Sequence, residues 1–362
     1  METEYDYPNA RLRALKSRLI TRAQYAELLE LANVEAVVAQ LARTAYQDAI
    51  NAALVKASGW ECLSDALRRD FANTLARITT FFRDAPQCLW LILIARWEMF
   101  SIKTILRGQQ QHIPADEVLA ALIPAGDLRA PDFDRLVQQT SVRAVVDLLA
   151  TWHHPSARAL LGAMPRYAEH NDLAELELAL DRARYSLALK ELAPRADANA
   201  DIVRAVLRDE IDATNILTVL RLSEWGGSGA RLTERYGNAS PAPLLIAGGG
   251  RASQVLIAQK EIPSGEQIAR ELRDTIFGAA LARAATRYAE TRVIAVFEDE
   301  LEAQLARGQL AFFKRDPLSI GIAIAYLAAR VNEVRNLRVI GRGKAADWSR
   351  AEIEKELRLW QN

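Results

Sequence analysis

The residues of this chain that could do chemistry are few, and their spacing narrows what that chemistry is. Three carboxylates, Glu98, Asp212 and Glu333, each sit among aliphatic residues on a helical pattern. Such a carboxylate needs a partner from elsewhere, because an unpaired buried charge is costly. Four histidines occur, His112, His153, His154 and His170, without an H-E-x-x-H pattern. Neighbouring His153 and His154 would point about 100° apart on a helix, so no metal centre is expected there. Gly341-Arg342-Gly343-Lys344 lacks the G-x-x-x-x-G-K-[ST] spacing that wraps phosphates in backbone amides. Gly226–Gly229 and Gly248–Gly250 read as loops needing positive φ, with an anion nest as the lesser alternative. Cys62 and Cys88 form no C-x-x-C and read as two free, buried thiols. No Ser-His-Asp or Cys-His set can be assembled, so an enzyme is not expected, and no catalytic residue, cofactor or metal is assigned.

The elements that must position the three acids are helices. Ala, Leu, Arg and Glu dominate long stretches, and Gly and Pro cluster in a few breaks. The breaks fall at Gln109–Pro114, Ile123–Pro131, Gly226–Gly229, Tyr236–Gly250 and Lys314–Pro317. Tyr25, Leu28, Leu29, Ala32 and Ala36 follow helical spacing, as do Leu173, Leu176, Leu180 and Ala183. Asp172, Glu175 and Glu177 among those leucines read as a solvated face. No stretch alternates with period two for long, so the expected class is all-α.

The chain matches itself. At a shift of 108, Tyr25, Leu28, Val34 and the Ala36-Val37-Val38 triplet fall on Phe133, Leu136, Val142 and Ala144-Val145-Val146. At a shift of 231, Leu41, Thr44 and Tyr46 fall on Leu272, Thr275 and Phe277. A second block recurs more sharply as acid-x-x-Ser/Asn-aliphatic-x-x-aliphatic-x-Arg, at Glu98–Arg107, Asp212–Arg221 and Glu333–Arg342. Two blocks in one order at similar shifts predict three helical repeats, over 1–120, 121–240 and 241–362. Within each block the acid and the arginine are nine residues apart. That separation turns about 900° along a helix, so the two face opposite ways. The acids are read as structural contacts tying helices within each repeat, or else as an inward ring of charge gripping a partner. Arg107, Arg221 and Arg342 are read as solvated or interfacial. Arg11, Arg13, Lys16 and Arg18 form a basic cluster, either a solvated face or a contact for an acidic partner or anionic lipid headgroups.

Composition removes several classes. Lys plus Arg and Asp plus Glu balance at 46 each among 362 residues, which argues against nucleic-acid binding. The apolar runs Cys88–Ala95 and Leu318–Ala329 fall short of the roughly 20 residues of a membrane-spanning helix. The acidic, aromatic start at Met1–Pro8 is unlike a secretory signal.

The opening Tyr5-x-Tyr7-Pro8-Asn9-Ala10-Arg11-Leu12-Arg13 and Leu41-x-x-Thr44-x-Tyr46 resemble the C subunits of V/A-type rotary ATPases, called d in eukaryotes. Asp316-Pro317-Leu318-Ser319-Ile320-Gly321, Ala325-Tyr326-Leu327 and Glu333–Ile340 are similar to that family's C-terminal signature. The Gly341–Lys344 segment and the Leu359-Trp360 tail depart from it. The resemblance implies a funnel of three similar helical repeats around a pseudo-threefold axis, with a central cavity. It implies a non-catalytic rotor subunit between the proteolipid ring and a D/F-type shaft, binding no nucleotide. It also implies a peripheral position on the cytoplasmic face of the membrane, for proton or sodium transport. The rival reading is an α-helical repeat scaffold for protein partners, although solenoid periods are shorter.

Overall fold

The computed structural model describes residues 4–224 and 228–359. Among them every regular element is a helix, and no strand occurs. An opening helix, α1 (Asp6–Lys16), precedes α2 (Arg22–Glu30), α3 (Val34–Leu41), α4 (Gln47–Leu54), α5 (Gly59–Thr79), α6 (Asp84–Gln110) and α7 (Ala115–Ala121). There follow α8 (Ala130–Val137), α9 (Val142–Thr151), α10 (Ala157–His170), α11 (Ala174–Leu192), α12 (Ala198–Glu224) and α13 (Ser228–Tyr236). The last are α14 (Arg251–Ile257), α15 (Gly265–Glu271), α16 (Gly278–Thr291), α17 (Ala295–Leu310), α18 (Gly321–Ala345) and α19 (Arg350–Glu356). Short 3-10 turns occupy Ala242–Leu244 and Ala311–Lys314.

Local sequence explains where these helices begin and what they bury. Thr21 caps α2 in a reciprocal box with Gln24, and Asn33, Ser264 and Ser349 cap α3, α15 and α19. Tyr25, Leu28 and Leu29 of α2 are buried, and so are Val34, Val37, Val38 and Leu41 of α3. The Leu-x-x-Thr-x-aromatic segments after α3 and α15 form the same turn. Thr44 Oγ1 donates to the Leu41 carbonyl at 2.7 Å and accepts the Tyr46 N–H. Thr275 Oγ1 donates to the Leu272 carbonyl at 2.6 Å and accepts the Phe277 N–H. Left-handed residues at Gly59, Asn171 and Arg292 stand where α4 meets α5, α10 meets α11, and α16 meets α17.

The chain divides into two compact units, residues 1–145 with 310–362, and residues 146–309. In the first, α18 lies against α5 so closely that a Cβ on Gly341 would meet the side chains of Leu63 and Trp60. The Gly341-x-Gly343 spacing therefore serves helix packing. In the second unit, Ile216, Val219 and Leu220 of α12 pack with Phe277, Leu281 and Phe297. Among the described residues no helix is long and apolar enough to cross a membrane.

Three expectations need correction. Gly229 lies inside α13 rather than in a loop, and Gly226 and Gly227 fall outside the described residues. Cys62 is buried but Cys88 only partly so. Glu175 is buried, not on a wet face, because Arg235 and the Tyr236 hydroxyl from α13 hold its carboxylate at 3.0 and 3.1 Å.

The repeated aliphatic position is fully buried at Ile102, Ile216 and Leu337. Truncating any of the three to Ala will cost about 2–5 kcal/mol in urea unfolding. Val55→Ala, at an exposed site, will stay within about 0.5 kcal/mol.

Candidate functional site

The three repeated acids are the centre of three related constructions. Each lies on the buried face of a long helix, Glu98 on α6, Asp212 on α12 and Glu333 on α18. Each accepts backbone N–H groups from the segment leading into a short helix. Glu98 Oε2 receives the N–H groups of Asp127 and Leu128, the latter at 2.8 Å, just before α8. Asp212 receives Ala252 N–H at 3.2 Å, Ser253 N–H at 3.0 Å and the Ser253 hydroxyl, at the start of α14. Glu333 receives the Ile20 N–H just before α2. A carboxylate at such a position supplies acceptors to amides that the helix itself leaves unsatisfied.

The expectation that each acid ties helices within its own repeat is therefore corrected. Glu98 and Asp212 reach forward into the next block of sequence, and Glu333 reaches back to the first. A buried carboxylate needs several donors, and three converging donors are supplied by a turn more readily than by another helix side. The expected loop at Gly248–Gly250 has positive φ only at Gly248. Gly249 answers a different demand, since a Cβ there would lie 2.5 Å from Asp212 Oδ1. Gly126 makes the same close approach to Glu98. The anion received at Gly248–Gly250 is thus the chain's own side chain.

The Ser/Asn position of the repeated pattern makes a second, parallel bond. Ser101 Oγ exchanges bonds with the backbone of Ile123, each 3.1 Å. Asn215 bonds both polar groups of Ile246 at 2.8 Å, and Asn336 both of Arg358 at 3.0 Å. The third case completes a turn across the chain ends, since Arg358 and Ile20 belong to opposite termini.

That third acid is also held by the side chains of Tyr46 and Arg330. The Tyr46 hydroxyl donates to Glu333 Oε1 at 2.7 Å and accepts from Arg330 Nη1 at 2.6 Å. Arg330 also pairs with Glu333 directly and with Asp70 of α5, and its guanidinium lies 4.8 Å from the Tyr46 ring centre. Burial pushes the Glu333 carboxyl up, against the pull of Arg330, Tyr46 and the Ile20 amide. Burial works to lower Arg330, but Tyr46, Glu333 and Asp70 outweigh it and hold the guanidinium charged. Sequence reasoning singled out Glu333 but missed Tyr46, Asp70 and Arg330. It also missed the clamp by Asn9, whose Nδ2 donates to the carbonyls of Pro317 and Ser319 at 2.9 and 3.0 Å. The helical spacing of Arg330 and Glu333 was a usable signal for one pair; the other partners are hundreds of residues distant.

The candidate interface arginines are all on the surface. Arg107 and Arg342 are exposed, Arg221 pairs with Glu298 at 2.8 Å, and Arg11 and Arg13 lie exposed on α1. None shares a site with the acids, as the half-turn offset requires. Among the described residues no group of three or more His, Cys, Asp or Glu side chains could hold a metal ion. The three constructions can therefore bind chain to chain, and nothing in them presents a reacting group to a substrate.

Two measurements test these assignments. Glu333→Gln, which removes one of the two carboxylates that hold the buried Arg330, will cost about 3–5 kcal/mol in urea unfolding. Glu98→Gln, which keeps an acceptor for the Asp127 and Leu128 amides, will cost about 1–2 kcal/mol. Asp209, one turn before Asp212, is pushed up to about 6, by burial first and then by the charges of Asp212 and Glu210. Its folded form holds its proton more tightly than the unfolded chain does, so stability falls as pH rises from about 4 through about 6. Asp209→Asn will raise stability above pH 6 by about 1 kcal/mol, allowing for solvent screening. The gain will vanish below about pH 4 in thermal melts across that range.

Comparison with known proteins places this arrangement. The ATP synthase (C/AC39) subunit family model matches residues 8–356. The C subunit of the A-type ATP synthase of Methanosarcina acetivorans is 26% identical over 356 residues, covering 98% of this chain and 93% of that protein. Its counterpart from Halobacterium salinarum is 27% identical, covering 98% and 97%. The one from Halorubrum lacusprofundi is 28% identical, covering 97% of each.

Proposed function

The chain belongs to the ATP synthase (C/AC39) subunit family, and from that premise we propose that it is the central-stalk spacer of a V/A-type rotary ATPase. It is a structural subunit and not a catalytic one. In this reading three helical units, over 1–120, 121–240 and 241–362, stand around a pseudo-threefold axis and enclose a socket. The socket receives the D/F-type shaft, and the opposite side rests on the proteolipid ring at the cytoplasmic face of the membrane. The subunit turns with the ring and carries torque between ATP chemistry and proton or sodium movement.

The observation that supports this reading best is the course of the three acid contacts. The first links the first block to the second, the next links the second to the third, and the last links the third to the first. A linear array would leave its last acid without a following turn. Here the opening segment at Ile20 supplies that turn, as a closed set of three units requires. The succession of helices also supports it. With α1 set apart, each of the long helices α6, α12 and α18 follows four shorter ones and precedes one more. Packed helices give the stiffness that a torque element needs. Arg107, Arg221 and Arg342, at one recurring position on the outer faces of those long helices, are the proposed partner contacts.

Affinity purification of the tagged chain from detergent-solubilised membranes of its own host tests the proposal. The expected eluate contains the nucleotide-binding ATPase subunits, a shaft subunit and the proteolipid. Recovery of unrelated proteins alone would sink it.

A further inference from the structure

The end of the first compact unit built by α1 and two turns carries more cations than carboxylates. Helix α1 lies across both turns. Arg11 sits 5.3 Å from the ring centre of Phe81, in the α5–α6 turn. Lys16 sits 4.1 Å from that of Phe313, in the α17–α18 turn. Asn9 fastens the helix to the same second turn through Pro317 and Ser319. Around this framework Arg13, Arg18 and Arg83 are exposed, as are Lys314 and Arg315. Seven cations in all thus face four carboxylates, Glu4, Asp6, Asp84 and Asp316, on these segments.

Among the described residues none of the seven is held in an ion pair. Some other cations of the same unit are taken up in ion pairs. Arg68 and Arg69 share Asp65, Arg330 is bound to Asp70 and Glu333, and Arg350 is bound to Glu30. Asp316 is exposed, and its Oδ1 accepts the Leu318 N–H at 2.9 Å. Tyr7 is 59% and Leu318 44% exposed between these cations, and Phe312 and Phe313 are half-buried. An array of cations without ion-pair partners, interleaved with exposed aromatic and aliphatic groups, matches a charged lipid–water interface.

We propose that this α1 end is a membrane-facing surface that binds anionic phospholipid headgroups. Lys and Arg supply the attraction, and Tyr7 and Leu318 enter the headgroup layer. The inference deepens the rotor reading, since a spacer seated on a membrane ring would bring one end within reach of the lipid surface.

Flotation of the full chain with vesicles tests it, comparing phosphatidylcholine alone with phosphatidylcholine containing about a third phosphatidylglycerol. Binding is expected only to the anionic vesicles, and it will fall steeply with added salt. The triple variant R13E/R18E/R83E touches none of the ring contacts. It will lose about a hundredfold or more in partitioning, from about 1 kcal/mol for each cation removed. Its thermal melt will match that of the parent chain. Equal binding to neutral vesicles, or full anionic binding by the folded variant, overturns the proposal. So does failure of the parent chain to float while ATPase subunits still copurify with it. That last result leaves the rotor reading standing and points to an acidic protein partner for these cations.

Discussion

A carboxylate folded into an apolar helix face must find donors, and this constraint organises the whole chain. The cost of stranding one is several kcal/mol, so the surrounding structure has to bring polar groups to it. Here the donors are backbone amides from the turn before the next short helix. Each long helix thereby dictates where the following block begins. Gly126 and Gly249 exist to let that turn come close, since any side chain there would occupy the carboxylate's space. The neighbouring Ser101 and Asn215 fix a second point of the same segment, so that both position and direction are set, while Asn336 holds Arg358 near the other end of the chain.

The three contacts differ in what they must achieve. At Glu98 and Asp212 the two sides are joined by a few tens of residues, and the polypeptide itself keeps them near one another. At Glu333 the partners are 313 and 287 residues away, and no short tether helps. Closing so long a loop costs more conformational entropy, although the cost grows slowly with length. The structure answers with Arg330, Tyr46 and Asp70 around the third acid, and with Asn9 gripping the carbonyls ahead of α18. A buried polar cluster of this kind is high in cost when broken and strong in register. It suits a subunit proposed to pass torque, where slippage between the first and last segments would waste rotation.

The basic end and the acid contacts divide the charged residues by purpose. The carboxylates of the repeated helices and their partners are spent inside, where they join segments. The cations of α1 and the two adjoining turns are left outside without carboxylate partners. A chain with equal numbers of acidic and basic residues can therefore still present a strongly positive surface. Balance over the whole sequence limits the long-range field and says little about any one face.

How much of this could be read from the amino acids follows from the range of each interaction. Helix class, most breaks and the recurring acid pattern rest on spacing within about ten residues, and those were legible. So was the burden on Glu98, Asp212 and Glu333, because an acid on an aliphatic stripe declares that it needs a partner. The opposite-facing arginines followed from helical geometry. Which groups answer the acids was not legible, for those groups are backbone amides, and nearly every residue has one. Nor was the burial of Glu175, which depends on Arg235 and Tyr236 arriving from another helix. Residue order was enough to establish that the chain is helical and that one pattern occurs three times. The return of the third acid to Ile20 and Tyr46 came into view with the folded chain, because contacts across some 300 residues leave no periodic trace along it.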